Sequence, residues 1–402
     1  LTRFAKNALV LGLLSAVGPF AIDMYLPALP MLARDLGTSP ATAQQTLTAF
    51  FVAFGVCQLI YGPWSDAAGR KRPLFFGIAL FALASVGCFF AHHIGALLAF
   101  RALEGVGAAS AAVIPRAIIR DLHTGHEATR LMSLVMLVFS VSPILAPLVG
   151  SAIIVPFGWR AVFAAVALLS ILAMVLLATT LPETRPPEER TSSSPLATLR
   201  DFGTVFVDAR FIGLTLTGAF GMASFFVFLA GSPFLYITHF GLTSIEYSLG
   251  FSVNAIGFIG TSQFAANLGR RFGIVRTIIV ASVLFAISAC VLAGLVFMGA
   301  GSLPLLIVMF FITFAFLGLV VPTTMVLALE SYGRIAGIAA ALGGTLQMIV
   351  GGLIIALTGV VMNGTPWPIV MMIAGCAIAA LVACLATLVL GARADQTAPS
   401  SA

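Results

Sequence analysis

The sequence predicts an all-α membrane protein with twelve transmembrane helices in two pseudo-symmetric six-helix bundles. Three observations predict it. Hydrophobic residues make up 60% of the 402 and charged residues only 8%, against roughly 25% charged in a soluble globular domain. The apolar residues come in runs near the ~20 residues that cross a bilayer. The basic residues collect in short connectors on one side. This composition excludes a water-exposed surface. The net charge of +6 therefore calls for anionic lipid headgroups rather than nucleic acid.

In chain order, the first half supplies runs at 8–30, 42–64, 73–91, 95–119, 130–154 and 160–181. Arg3 and Lys6 precede the first run as they would in a signal peptide, but its length and the spans that follow make it the first transmembrane helix. Pro27 and Pro30 end it. Gly105, Ala108, Ala109 and Ala112 place a small-residue stripe on span four that lets a neighbour approach. Pro143, Pro147 and Gly150 lie within span five, where the prolines kink it. A polar linker, 182–209, then carries Pro186, Pro187, Glu188, Glu189, Arg190 and Ser192 to Ser194. The second half follows with runs at 210–236, 246–268, 275–298, 303–329, 335–361 and 367–391. The domains are thus 1–181, the linker 182–209, and 210–402. All five cysteines lie inside apolar runs without CxxC spacing and read as buried small hydrophobes.

Of the twenty basic residues, seventeen fall on one side, Arg34 and Arg160 on the other, and Arg101 within the membrane. The positive-inside rule puts the rich side, with both termini, in the cytoplasm. The densest basic cluster, Arg70, Lys71 and Arg72, closes a charged hinge from Gly62 to Leu74, where Gly69 permits a tight turn. The turn recurs as Gly269-Arg270-Arg271, and Trp159 and Trp367 open spans six and twelve at the outer interface. A repeat near 200 residues marks a duplicated transporter with its substrate site between the halves.

A charge in hydrocarbon costs at least ~2.5–3.5 kcal/mol, so those that remain call for a reason. Asp23 lies toward the outer end of span one; Arg101 and Glu104 share one face of span four. At ~1.5 Å per residue their depths match well enough for a network among the three. Two readings stand: a proton relay, in which burial and a movable guanidinium shift a carboxylate's proton affinity in opposite directions, or a static ion pair joining spans one and four. The second half holds no charge well inside a span. Its Phe225, Phe226, Phe228, Asn254, Gln263 and Gln347 suit an apolar-tolerant cavity wall, although most such phenylalanines pack or face lipid.

These residues resemble a known family. Gly62-Pro-Trp-Ser-Asp66-Ala-Ala-Gly69-Arg70-Lys71-Arg72 resembles the loop 2–3 signature of the major facilitator superfamily. Arg101-Ala-Leu-Glu104-Gly105 resembles the span-four signature of proton-driven members, and Ser142-Pro143 through Pro147 to Gly150-Ser151 is similar to the span-five antiporter signature. Asp23-Met-Tyr25-Leu-Pro27, with Arg116 and Arg120-Asp-Leu, is similar to the Bcr/CflA group of bicyclomycin and chloramphenicol exporters. The resemblance implies alternating access and drug/proton antiport by a monomer in a bacterial inner membrane, powered by the proton gradient with no cofactor. It implies that Arg101 couples protonation with Glu104 beside it, that Asp23 carries a proton or touches drug with Tyr25, and that Asp66 and Arg120 latch the cytoplasmic side with Gly62, Gly69 and Arg70. Glu104 departs from the pattern, standing where relatives often have Gln.

Other classes find little footing. HExxH, GxGD and GxSxG are absent from the sequence, and neither lysine, Lys6 or Lys71, sits in a phosphate-binding loop. His123 and His126 lie with Glu127 in a polar loop where solvation suffices. A proton symporter importing a metabolite would use the same Asp23 and Arg101; the span-five signature favours export.

Overall fold

The computed structural model describes residues 3–190 and 195–397. Ser192 to Ser194 of the linker, and the side chains of Arg3, Glu189, Arg334 and Arg393, lie outside the described part. Among the described residues the chain forms helices and turns, with no strand, and eleven helical segments are long and apolar enough to cross a membrane. The expected span 246–268 is different: α10 (Ser244–Ser262) stops at a turn at Gln263 and Phe264, and α11 (Ala265–Phe272) follows. Ser248, Ser252 and Asn254 dilute its hydropathy, and all three are buried against protein rather than turned to lipid.

The chain divides into two compact units. One comprises Leu1–Thr198, Leu229–Ser252 and Ile355–Gly364. Its helices are α1 (Arg3–Asp23), α2 (Leu29–Asp35), α3 (Pro40–Ala68), α4 (Lys71–Phe89), α5 (Ile94–Leu122), α6 (Gly125–Phe157) and α7 (Arg160–Thr180). Span one does not end at Pro27 and Pro30. After Asp23 the chain makes a 3-10 turn over Leu26–Ala28 and resumes as α2. Each proline falls in the first turn of its segment, where the missing N–H costs nothing. Arg101's helix, α5, packs on both α3 and α4, while α1 packs on α5, α6 and α7. The small-residue stripe explains the closeness: a Cβ on Gly105 would come within 2.3 Å of the Phe50 carbonyl oxygen, and one on Gly107 within 2.5 Å of the Gly77 oxygen.

Trp159 is not a lipid-facing anchor. It is 1% exposed, its indole donates to Asp35 Oδ2 at 2.9 Å, and Arg160 stacks on it at 4.2 Å. A carboxylate and a guanidinium stand where headgroups would otherwise satisfy the ring. The start of α10 joins α6 through hydroxyls: Ser151 Oγ donates to Ser244 O at 2.8 Å, Ser248 Oγ to Pro147 O at 2.9 Å and Ser252 Oγ to Ile144 O at 2.9 Å.

The other unit comprises Leu199–Phe228, Val253–Ile354 and Thr365–Ala402. It contains most of α8 (Pro195–Val207) and α9 (Ala209–Pro233), then α12 (Ile274–Phe297), α13 (Leu303–Leu329), most of α14 (Ala336–Val361) and α15 (Trp367–Thr397). The α8 helix forms inside the polar linker stretch because it has an apolar edge: Val205 is buried with Phe211, Leu214, Ile278 and Leu342. Two cysteines depart from the expected burial. Cys57 is half-buried, and Cys290 is exposed on α12, which in a spanning helix is a lipid contact.

Candidate functional site

The site begins at the break after α1. Asp23 is 5% exposed. Its partner is Ser142 of α6, whose hydroxyl donates to Oδ2 at 3.5 Å, a long bond. Among the described residues no cation pairs with it. Gly150 of α6 holds the break close, since a Cβ there would lie 2.1 Å from the Met24 oxygen. Pro143 is half-buried and Pro147 buried on the same helix.

Arg101 and Glu104 are both fully buried, and Nη1 donates to Glu104 Oε2 at 2.6 Å. Ser85 donates to the other carboxylate oxygen at 2.6 Å. Nη1 also reaches the Ala21 carbonyl at 3.3 Å. Nε and Nη2 have no hydrogen-bond acceptor among the described residues. Aromatic faces take that place: the guanidinium carbon lies 4.9 Å from the Tyr25 ring centre, 4.7 Å from Phe50 and 5.9 Å from Phe163. A desolvated cation–π contact is worth ~2 kcal/mol, comparable to the insertion cost of the charge. Tyr25 is thus buried, with its hydroxyl on Thr46 at 2.8 Å. The expected three-membered network divides in two. Arg101 pairs with Glu104 and touches the chain at Ala21 and Tyr25, on either side of Asp23, while the Asp23 carboxyl stands apart from the pair.

At the hinge Gly69 adopts φ +88°, as its turn requires. Arg70 donates from Nη1 to Asp66 Oδ1 at 2.6 Å and from Nε to Asp121 Oδ2 at 2.8 Å, and Arg185 also reaches Asp66 Oδ1 at 2.8 Å. Glu183 closes the turn by accepting the amides of Arg70 at 2.8 Å and Lys71 at 3.1 Å, at the start of α4, where N–H groups lack helical partners. Burial alone would raise the Glu183 carboxyl, but these amides with those of Arg185 and Thr184 hold it below the usual carboxylate range. Gly62 is half-buried, and its carbonyl accepts from Ser65 at 2.9 Å. Arg120 is exposed and makes no ion pair among the described residues; its neighbour Asp121 does instead.

In the second unit Phe225 belongs to a ring cluster, 5.3 Å from Phe258 and 5.4 Å from Phe314, with Phe228 packed on Phe310 at 4.9 Å. Phe226 lies against Gly351, where a Cβ would meet its ring at 2.2 Å. Asn254 is fully buried and Gln347 half-buried. Asp208 caps α9 through the amides of Arg210 at 2.8 Å and Phe211 at 3.1 Å, and its other oxygen accepts from the Tyr332 hydroxyl.

Sequence reasoning misses Glu183 and Ser85, and it reaches Asp121 and Ser142 only as members of motifs, without the partners they take here. The acidic pair has a signal: each lies near an arginine at a span end, where a buried basic cluster needs counter-charge. The serines have none, since nothing in a sequence distinguishes a serine bonded to a carboxylate from one bonded to its own helix.

The family model of the Major Facilitator Superfamily matches residues 11–355. An MFS-type transporter of Bacillus subtilis, YdgK, is 36% identical over 88% of this chain and 88% of its own. A bicyclomycin resistance protein homolog of Haemophilus influenzae is 28% identical over 93% and 94% of the two chains. A chloramphenicol resistance protein of Pseudomonas aeruginosa is 30% identical over 91% and 87%. Among solved structures, a D-xylose-proton symporter superposes with TM-score 0.77 over 96% of this chain and 97% of that one, at 16% identity, a likeness of fold alone. Motifs, helices and relatives agree: the chain is a multi-pass membrane transporter that belongs to the Major Facilitator Superfamily, among its Bcr/CflA-type members.

Proposed function

We propose that the protein exports small amphipathic drugs, of the chloramphenicol and bicyclomycin kind, in exchange for protons by alternating access. It acts as a monomer in a bacterial inner membrane with both termini in the cytoplasm. The proton gradient supplies the energy without a cofactor. The observation that carries the proton half is Asp23: a buried carboxyl at a helix break, held by one long hydroxyl bond and no cation among the described residues. A carboxyl so placed can take up and release a proton as its surroundings change, which a tightly paired one cannot. Arg101, leaning on Ala21 and Tyr25, reports that change to α5, and Glu104 keeps its charge tolerable.

The drug half rests on the resistance proteins to which the chain is similar. Asp23, Tyr25, Phe225, Phe226, Asn254 and Gln347 are the proposed drug contacts. Gly62, Asp66, Gly69, Arg70, Arg120, Pro143, Pro147 and Gly150 are the proposed switch. The test is a susceptibility panel in a drug-sensitive bacterium. Expression raises tolerance to chloramphenicol, a protonophore abolishes the gain, and Asp23→Asn loses it at unchanged membrane abundance. Efflux that survives collapse of the proton gradient, or a fully active Asp23→Asn, overturns the antiport mechanism.

A further inference from the structure

We propose that a groove bounded by the end of α10 with α11, α12 and α13 binds an anionic phospholipid. Two cavities of about 290 and 380 Å³ meet at Leu268 and Leu319. Val280 and Leu284 wall the first, which carries Arg276; the second carries Arg271. The pattern is an apolar trough with cations at one end.

The trough opens on lipid. Val280, Leu284, Ile287 and Val291 recur at helical spacing on α12 and are 38–54% exposed, which in a spanning helix means contact with acyl chains. The cations lie at the correct depth for a headgroup. Arg271 stands in the last turn of α11 and Arg276 in the first turn of α12. Leu284 is ten residues into α12, or ~15 Å along the axis, half the ~30 Å hydrocarbon core. A headgroup at the arginines thus sends its tail along the trough.

The charge is left open. The first half neutralises its basic turn internally, with Asp66 and Asp121 on Arg70. The matching turn at Gly269-Arg270-Arg271 has no such carboxylates among the described residues. Arg270 bonds the neutral Asn267 amide oxygen, at 2.5 Å, and none of Arg270, Arg271 and Arg276 forms an ion pair among the described residues. The α12 N-terminus after Gly273 lacks a side-chain cap as well, adding partial positive charge. A phosphodiester satisfies the arginines and the helix end together, and its acyl chain covers the apolar wall. A zwitterionic lipid brings a cation of its own to the same place.

The experiment is native mass spectrometry of the full chain in detergent, titrated with dioleoyl-phosphatidylglycerol or dioleoyl-phosphatidylcholine. Phosphatidylglycerol is expected to bind about tenfold tighter, and Arg271→Gln/Arg276→Gln to remove that preference. Arg72→Gln, an exposed arginine of the hinge face, should leave it intact. Equal binding of the two lipids, or an unaffected double variant, overturns the site. An equal loss in Arg72→Gln reduces it to diffuse surface charge, and displacement by millimolar inorganic phosphate reduces it to a plain anion site; either result overturns the lipid assignment. The outcome does not depend on which substrate is transported.

Discussion

Arg101 and Glu104 cannot be removed singly without stranding a charge where nothing solvates it. Breaking such a buried pair typically costs about 3–5 kcal/mol, whereas replacing both partners with apolar groups is often near neutral. Arg101→Leu should therefore lower the Tm of the detergent-purified protein sharply, and Arg101→Leu/Glu104→Leu should recover most of the loss. Transport should be absent from both. Penalties that simply add would mean that the two side chains do not act as a pair. The aromatic cage sharpens the point. Tyr25, Phe50 and Phe163 face the guanidinium, so Arg101→Lys, a compact ammonium that cannot stack its plane, should not substitute.

At the scale of the element, the break between α1 and α2 depends on one atom's absence. Gly150→Ala would place a Cβ 2.1 Å from the Met24 oxygen, a distance no packing tolerates, so α6 must move away from the break. The variant should keep its helical circular dichroism and its membrane abundance but lose most drug efflux; an active Gly150→Ala would show that the break tolerates displacement. This approach is legible in the sequence only as a glycine in a span. Helix spacing, the hinge turn at Gly69 and the small stripe on α5 are local patterns and can be read directly. Partners 113 residues apart, as Glu183 and Arg70 are, leave no periodic trace. The division of Asp23 from Arg101 is equally hidden: depth along two helices matches residues by level, not by the direction each side chain takes.

At the scale of the whole molecule, the span count follows from hydropathy, and the one departure, α10, is where buried serines and an asparagine replace apolar residues. The basic hinge is legible in composition, but part of its counter-charge comes from the end of α5 and the chain just after α7. Asp66 holds Arg70 and Arg185 together, far in sequence from the buried carboxyl at Asp23. Asp66→Asn should accordingly slow turnover severely while drug binding to purified protein stays within about twofold. A pure loss of affinity, with turnover at saturation unchanged, would move Asp66 from the switch to the drug site.

The hydroxyls that join α10 to α6 have a further property. Ser248 Oγ lies 2.9 Å from Pro147 O but also 3.0 Å from Ser244 O, and Ser252 Oγ lies 2.9 Å from Ile144 O and 2.8 Å from Ser248 O in its own helix. The two α10 donors, Ser248 and Ser252, therefore keep an acceptor one turn back if the two helices part, whereas Ser151 of α6 bonds across to Ser244 and Ser248 of α10. At these two positions separation forfeits the ~0.5–1.5 kcal/mol net worth of each bond without exposing a naked proton donor to hydrocarbon. A contact built this way is a zipper, cheap to undo and ready to re-form, where interlocked leucines would have been glue.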